Sequence, residues 1–263
     1  MIRTVAETGS TNADMLLLAR SGAEEGLWLR AERQTGGRGR RDRVWESPKG
    51  NFYGSTVVRV RPGDPAAATL ALVAAVALEE VVRVYLINAV APAKAGAAAL
   101  GYAPRAARDT PAAPASAGAT MWIKWPNDLL LDGAKLSGIL LERSGDAVIV
   151  GIGVNLAHHP TDTDRLATSL AAHGAAPNPA DFAETLAEAF ARWLGIWRGQ
   201  GLAPIRTRWL ERAHPVGTAL TARLADGQAI DGLFAGLDSD GALILRLADG
   251  SARVIHAGDI FLI

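Results

Sequence analysis

Between residues 121 and 156 the chain runs "MWIKW", "LLLDG", "KLSGILLERSG" and "DAVIVGIGVNL", apolar and β-branched stretches separated by tight turns. Stretches of this length and composition predict strands rather than helices. A block of consecutive strands forms a sheet, and a sheet needs other elements to cover its apolar faces. The rest of the chain is therefore read for its covering helices and further strands.

The opening "TVAETGSTNADMLLLARSG" predicts a short strand, a Ser/Thr/Asn cap and an apolar-periodic helix ended by Gly22. "GLWLRAERQT" and "NFYGSTVVRV" have strand composition, and "PAAATLALVAAVALEEVVRVYL" predicts a buried helix started by Pro65. In "PADFAETLAEAFARWLGIWRGQG", Phe182, Leu186, Phe190, Trp193, Leu194 and Trp197 recur at helical spacing, which predicts a core-facing stripe. Alanine fills about half of residues 89–119, and prolines stand at 92, 104, 111 and 114. No packed element is expected there, only a low-complexity surface insertion.

From Val216 the texture changes to short strands punctuated by Asp226-Gly227, Asp240-Gly241 and Asp249-Gly250. Each Asp-Gly pair suits the positive-φ turn of a hairpin. Four or five strands in under 50 residues predict a small appended meander or barrel. The expected division is 1–213 and 214–263.

Composition bounds the function. The 27 Lys+Arg and 27 Asp+Glu cancel, which argues against wide electrostatic capture of nucleic acid or an anionic membrane. With no cysteine, disulfides, thiolate catalysis and Cys-ligated zinc are excluded. No leader precedes the first motif and no apolar run approaches ~18 residues, so a cytoplasmic protein with no membrane partner is expected.

Against this neutral background "GGRGRRDRVW" (36–45) packs Arg38, Arg40, Arg41 and Arg43 among glycines. Glycines let backbone amides approach a ligand, and guanidinium forks suit carboxylate or phosphate. Alone, the stretch fits a solvated loop, a small-anion cradle or a nucleic-acid arm. Neither a Walker loop nor a Gly-x-Gly-x-x-Gly helix start is present. "KWPNDLLLDGAKLSGILLE" (124–142) places Asn127 and Asp128 after a proline-fixed turn and Lys135 seven residues beyond the aspartate, and "GIGVNL" (151–156) ends a strand with two glycines and an asparagine. His158 and His159 are adjacent, but a polar loop explains them better than a metal site, and no metal ligands are assigned.

Together with "STNAD" (10–14) and "AERQTGGRGRRDRVWESPKGNFYGS" (31–55), these motifs resemble, in order, those of the biotin protein ligases. The resemblance covers nearly the whole chain outside 89–119. It implies an α/β fold of the α+β type: a mixed β-sheet catalytic domain backed by helices, with a small C-terminal SH3-like β-barrel. It implies an ATP-dependent enzyme that forms biotinyl-AMP and transfers biotin to a lysine of a biotin carboxyl carrier protein domain. ATP with Mg²⁺ and biotin are the implied small molecules, and a homodimer is allowed. With the Ser-Thr-Asn motif starting at residue 10, there is no room for the N-terminal DNA-binding domain of bifunctional members, and no DNA partner is expected.

By that resemblance Ser10, Thr11 and Asn12 contact biotin, although an N-cap also accounts for them. Gln34, Gly37, Arg38, Gly39 and Arg40 belong to the loop that closes over the biotin carboxylate and adenylate phosphate, and Trp45 lies beside the adenine or simply packs the loop. Asn127, Asp128 and Lys135 fall at the reacting centre, with Asp128 also able to stabilise the turn. Gly138, Gly151 and Asn155 form the pocket wall, the glycines leaving room for the bicyclic ring. Arg38, Arg40, Asp128 and Lys135 are the expected catalytic residues. The rivals are a lipoate or octanoate ligase-type acyltransferase, and a nucleic-acid-binding module using Arg38 to Arg43.

Overall fold

The computed structural model describes residues 1–90, 119–163 and 165–263. The larger sheet is seven-stranded and mixed, in the order β1-β2-β3-β7-β6-β5-β4. Its strands are β1 (Ile2–Thr8), β2 (Trp28–Gln34), β3 (Phe52–Arg59), β4 (Met121–Lys124), β5 (Asp128–Leu131), β6 (Ala134–Ser144) and β7 (Ala147–Val154). β1 and β2 are parallel, joined through helix α1 (Thr11–Arg20), and every other pairing is antiparallel.

Alternation along β7 sorts its two faces. Val148, Val150, Ile152 and Val154 point into the main core, beneath α2 (Leu70–Val90) and α3 (Pro179–Gln200). Ala147 and Ile149 point the other way and pack with Val57 of β3 against Met15 and Ala19 of α1. Helix α1 covers only half of that face. Beyond its N-terminus the same face continues as Ser55 on β3, Gly151 and Gly153 on β7 and Gly138 on β6, small residues that leave a hollow above the sheet.

Helix α3 carries the expected stripe: Phe182, Leu186, Phe190, Leu194 and Trp197 are buried, with Trp193 packed at its margin. Asn178 caps it by accepting from the Ala180 amide at 2.7 Å, ahead of Pro179. Helix α2 starts later than Pro65 suggests. A 3-10 turn over Ala67–Thr69 precedes it, with the Thr69 hydroxyl donating back to the Ala66 carbonyl. It also ends later than expected: Ala89 packs against the core, as does Ala119 on the far side, so the expected loop over 89–119 is too long at both ends. The remaining expectation, over 91–118, lies outside the described residues. Helix α4 (Ala203–Glu211) is not anticipated by its mixed pattern. It is held by Ile205 and Trp209 in the core and by Arg208, which pairs with the fully buried Glu79 of α2.

The C-terminal strands β8 (Ala219–Arg223), β9 (Ala229–Leu237), β10 (Leu243–Arg246), β11 (Ala252–Ile255) and β12 (Asp259–Leu262) form an antiparallel sheet in the order β11-β10-β9-β8-β12. Gly227, Gly241 and Gly250 adopt φ of 83–86° in their Asp-Gly turns, as the sequence predicts. This second sheet docks on the end of β4. The Trp125 indole donates to the Gly241 carbonyl (3.1 Å), and the Lys124 ammonium donates to the Ile260 carbonyl (3.1 Å). Among the described residues no helix is long and apolar enough to cross a membrane.

Candidate active site

The hollow is a cavity of about 730 Å³, with small residues at one end and cations at the other. Ser10, Thr11, Asn12, Gln34, Arg38, Gly39, Arg40, Trp45, Asn127, Asp128, Lys135, Gly138, Gly151 and Asn155 all line it. Gly37 does not. It is buried behind the loop, where a β-carbon would collide with the Trp45 carbonyl and the Ser47 hydroxyl.

At the small-residue end the polar groups form one chain. The Thr11 amide, an orphan donor of the first turn of α1, donates to Gln34 Oε1 at 2.8 Å. Gln34 Nε2 donates to Ser47 Oγ (3.0 Å), whose hydroxyl donates to the Trp45 carbonyl (2.9 Å). Ser55 Oγ lies 2.8 Å from Thr11 Oγ1 and 2.6 Å from Asn12 Oδ1. Ser10 stands at the N-cap position, but its side chain makes no capping bond.

At this end Asn12, Gly151 and Asn155 also have partners within the chain. The Asn12 amide is already engaged, donating to Glu142 at 2.8 Å and approaching the Leu140 carbonyl at 3.4 Å. It occupies the space above Gly151, where any β-carbon would collide with it. Gly151 therefore makes room for Asn12, and the rest of the glycine floor is Gly138 and Gly153. Trp45 lies over that floor: a β-carbon on Gly153 would come within 2.7 Å of its indole nitrogen. That N–H is buried with no hydrogen-bond partner among the described residues. Asn155, expected in the wall, uses its amide to hold the Thr168 carbonyl (3.0 Å), stapling the segment after β7 beside Lys135.

At the other end Asp128, 4% exposed, sits between Lys135 Nζ (2.6 Å) and Lys124 Nζ (3.0 Å). Burial alone would raise its carboxyl, but Lys135 and Lys124 outweigh this and hold it below the usual carboxylate range. A shift of pairing between Leu129 and Leu130 is what aims Lys135. Leu130 pairs with Lys135 instead of Leu136, which puts Lys135 on the face of Asp128 and Gly138. The Lys135 ammonium also stands 5.5 Å from the centre of the Trp45 ring.

Opposite is the loop 36–45. Arg40 reaches Asn127 Oδ1 (3.4 Å) and the Gly258 carbonyl (3.2 Å). Asp259, buried at the start of β12, pairs with Arg40 (3.6 Å), Arg41 (3.2 Å) and Arg43 (2.5 Å). Arg38 turns the other way, to Glu142 at 3.5 Å. Burial would raise the Asp259 carboxyl, but Arg43 first, then Arg41 and Arg40, keep it low.

Sequence reading missed Lys124, Ser55, Glu142, Gly153 and Asp259. Lys124 and Glu142 are the first and last residues of the quoted "KWPND…LLE" motif and Gly153 lies inside "GIGVNL", so the motifs marked their neighbourhood. Ser55 likewise closes the quoted 31–55 segment, whereas nothing local marks Asp259. Among the described residues no three His, Asp or Glu side chains converge as a metal site. The His159 ring bonds Ser169, while His158 contributes its backbone to Asn51.

Residues 6–156 match the model of the biotin/lipoate A/B protein ligase family, and residues 218–263 match that of the biotin protein ligase C terminal domain. A biotin–[acetyl-CoA-carboxylase] ligase of Paracoccus denitrificans is 42% identical over 98% of both chains. One from Mycobacterium tuberculosis is 34% identical over 97% of this chain and 86% of its own. The solved biotin protein ligase of Aquifex aeolicus in complex with biotin and ATP shares the fold, with a TM-score of 0.77 and 22% identity, covering 100% of this chain and 98% of its own. The first family match alone spans more than half of the sequence, and the chain belongs to the biotin/lipoate A/B protein ligase family.

Proposed function

We propose that the chain is a biotin–[biotin carboxyl carrier protein] ligase, and that the observation carrying this is the polarity of its cavity. Neutral hydrogen-bonding groups and a glycine floor occupy one end, and Lys135, Lys124 and Arg40 stand at the other. A ligand with a small polar ring and an anionic tail fits that layout, and biotin has both. The curated relatives named for biotin and acetyl-CoA carboxylase support the same substrate and target.

In the first half-reaction the biotin carboxylate attacks the α-phosphorus of ATP and pyrophosphate leaves. Two anions must meet, so fixed cations lower the barrier, each contact being worth about 3 kcal/mol at such a centre. Lys135 is held by Asp128 at the sheet, and Arg40 reaches in from the loop beside Asn127. Asp128 acts as the anchor of the lysines, since both of its neighbours already neutralise it. In the second half-reaction the neutral amine of a carrier lysine attacks the mixed anhydride and AMP leaves. A loop shut over the intermediate keeps water out between the steps.

Magnesium enters this reading as the counter-ion of ATP. The two buried carboxylates of the cavity are committed to lysines and arginines, so a metal would be held chiefly by the phosphates. It would supply screening of phosphate charge. Pairing of Arg40, Arg41 and Arg43 with Asp259 supports a small-ligand loop over a nucleic-acid arm. The reading places the enzyme in the cytoplasm, without a DNA partner.

Biotin-dependent exchange of pyrophosphate into ATP tests the reading, followed by labelling of the carrier domain of acetyl-CoA carboxylase. Exchange driven by lipoate or octanoate but not by biotin would replace it with the acyltransferase alternative.

A further inference from the structure

The Glu142 side chain joins the small-residue end of the site to the arginine loop, and the reaction as described gives it no task. One of its carboxylate oxygens accepts from Asn12 Nδ2 at 2.8 Å, and the other lies 3.5 Å from Arg38 Nη2. Glu142 is half-buried, with its side chain 28% exposed, while Asn12 is 4% exposed. An amide beside a carboxylate can face it only with its nitrogen, because the oxygen has no proton to offer. The Asn12 oxygen is therefore forced toward Ser55, whose hydroxyl donates to it at 2.6 Å. Ser55 Oγ then meets Thr11 Oγ1, and Thr11 meets Gln34 Oε1, whose orientation is set from the other side by Ser47. Glu142 thus fixes which atoms give protons and which receive them from Asn12 as far as Ser55, while Gln34 is oriented by the Thr11 amide and by Ser47.

That orientation matters to a ring that presents both N–H donors and a carbonyl acceptor. The other Glu142 oxygen meets Arg38, the first arginine of the loop that covers the anionic end. Resting on the ligase reading, we propose that Glu142 is a positioning residue for biotin, which sets the hydrogen-bond polarity of the ring pocket through Asn12 and anchors the arginine loop through Arg38.

The test uses the full chain with Glu142→Leu and Glu142→Gln, measuring the KM for biotin and for ATP by pyrophosphate exchange and the rate of biotinyl-AMP release. Loss of a hydrogen bond to a charged group predicts about a tenfold or greater rise in the biotin KM for Glu142→Leu. The ATP KM stays within about twofold, and kcat within about threefold, because no phosphate contact is lost. Glu142→Gln retains an acceptor for Asn12 and returns the biotin KM to within about threefold of wild type. It still releases the adenylate faster, by about two- to threefold, the usual worth of a part-exposed ion pair. Adding Arg38→Ala to Glu142→Gln produces no further increase in release beyond that of Arg38→Ala alone.

A biotin KM within twofold of wild type in Glu142→Leu, equal shifts in both KM values, or a glutamine variant no better than leucine would each overturn the proposal. If Glu142→Leu does not fold, as judged by circular dichroism, the glutamine variant and its cycle with Arg38→Ala decide, and additive effects on release overturn it. Absence of biotin-dependent exchange in the wild type refutes the ligase reading itself, and this assignment with it. Normal exchange with indifferent Glu142 variants refutes only the assignment.

Discussion

The lysine wall and the arginine loop face each other across the cavity, and each is organised by one buried carboxylate. On the lysine side Lys124, Asp128 and Lys135 belong to adjacent strands β4, β5 and β6, so the backbone ladder places them before any side chain pairs. On the arginine side the loop joins β2 to β3 and three of its cations, Arg40, Arg41 and Arg43, are held by Asp259, a residue 216–219 positions away in the other sheet. The lysine wall is thus built by local hairpins. The arginine loop is built by docking of the C-terminal sheet, through Asp259 and the carbonyl of Gly258. Exposure separates only their outer members: the paired Arg41 and Arg43 side chains are 39% and 51% exposed against 8% for Lys124, whereas Lys135 and Arg40 are both 27% exposed. Ion pairs as open as those of Arg41 and Arg43 are weak and sensitive to salt.

The largest effect is expected at the lysine wall. Lys135→Ala should lower biotinyl-AMP formation by about a hundredfold, the cost of losing one fixed cation at a developing charge. Lys124 still neutralises Asp128, so the circular dichroism spectrum should be unchanged. An unchanged exchange rate in the folded variant would remove Lys135 from the chemistry and break the contrast at its strong end.

Next comes the loop. Arg40→Gly removes the contacts to Asn127, Gly258 and Asp259 and adds backbone freedom, so the open state gains population. The adenylate should still form but escape about tenfold faster, equivalent to about 1.4 kcal/mol of closure. Incubation with biotin, ATP and serum albumin, read by streptavidin blotting, should show the albumin labelled. Albumin as clean as with the wild type, while adenylate forms, would mean that Arg40 does not hold the intermediate.

A smaller effect separates the two anchors. Asp259→Asn should speed adenylate release by only a few-fold, since each released arginine is partly solvated already. Raising the salt concentration should produce the same speeding in the wild type and little more in the variant. Equal salt sensitivity in the two proteins would show that Asp259 is not the anchor.

A pH effect on stability rather than on catalysis lies at the junction of the two sheets. His214 stacks near Trp122, and burial, helped by the nearby Lys124 charge, pushes its pKa down to about 4 from the ordinary 6.5. A lowered pKa means that the unfolded chain takes up the proton first. Stability is therefore complete above pH 6.5, falls as the pH drops from 6.5 to about 4, and gains no further loss from this group below that. One proton sets a slope of at most about 1.4 kcal/mol per pH unit. Denaturant melts of the wild type and His214→Phe across that window should differ in slope; parallel curves would show that the ring is solvated.

Much of the architecture was legible because it rests on short-range pattern. Strands β4–β7, the stripe of α3 and the Asp-Gly hairpins follow from periodicity and turn chemistry that act over a few residues. The candidate site was legible as motif segments, and the cavity collects all of the expected residues except Gly37. Helix α4 was not, because its stability comes from Trp209 packing and the ion pair to Glu79 rather than from a strong periodic face.

What the order of residues determined was which elements form and which segments carry polar and charged groups, since propensity, alternation and glycine freedom are properties of neighbours along the chain. Tertiary structure decided the rest. The shift of register beside Leu130 turned Lys135 onto the face of Asp128, Gly151 gave its space to Asn12, and β12 brought Asp259 to the arginine loop. These outcomes depend on distances between residues far apart in the chain. Burial and Coulomb energy reward such meetings only after the sheets have packed.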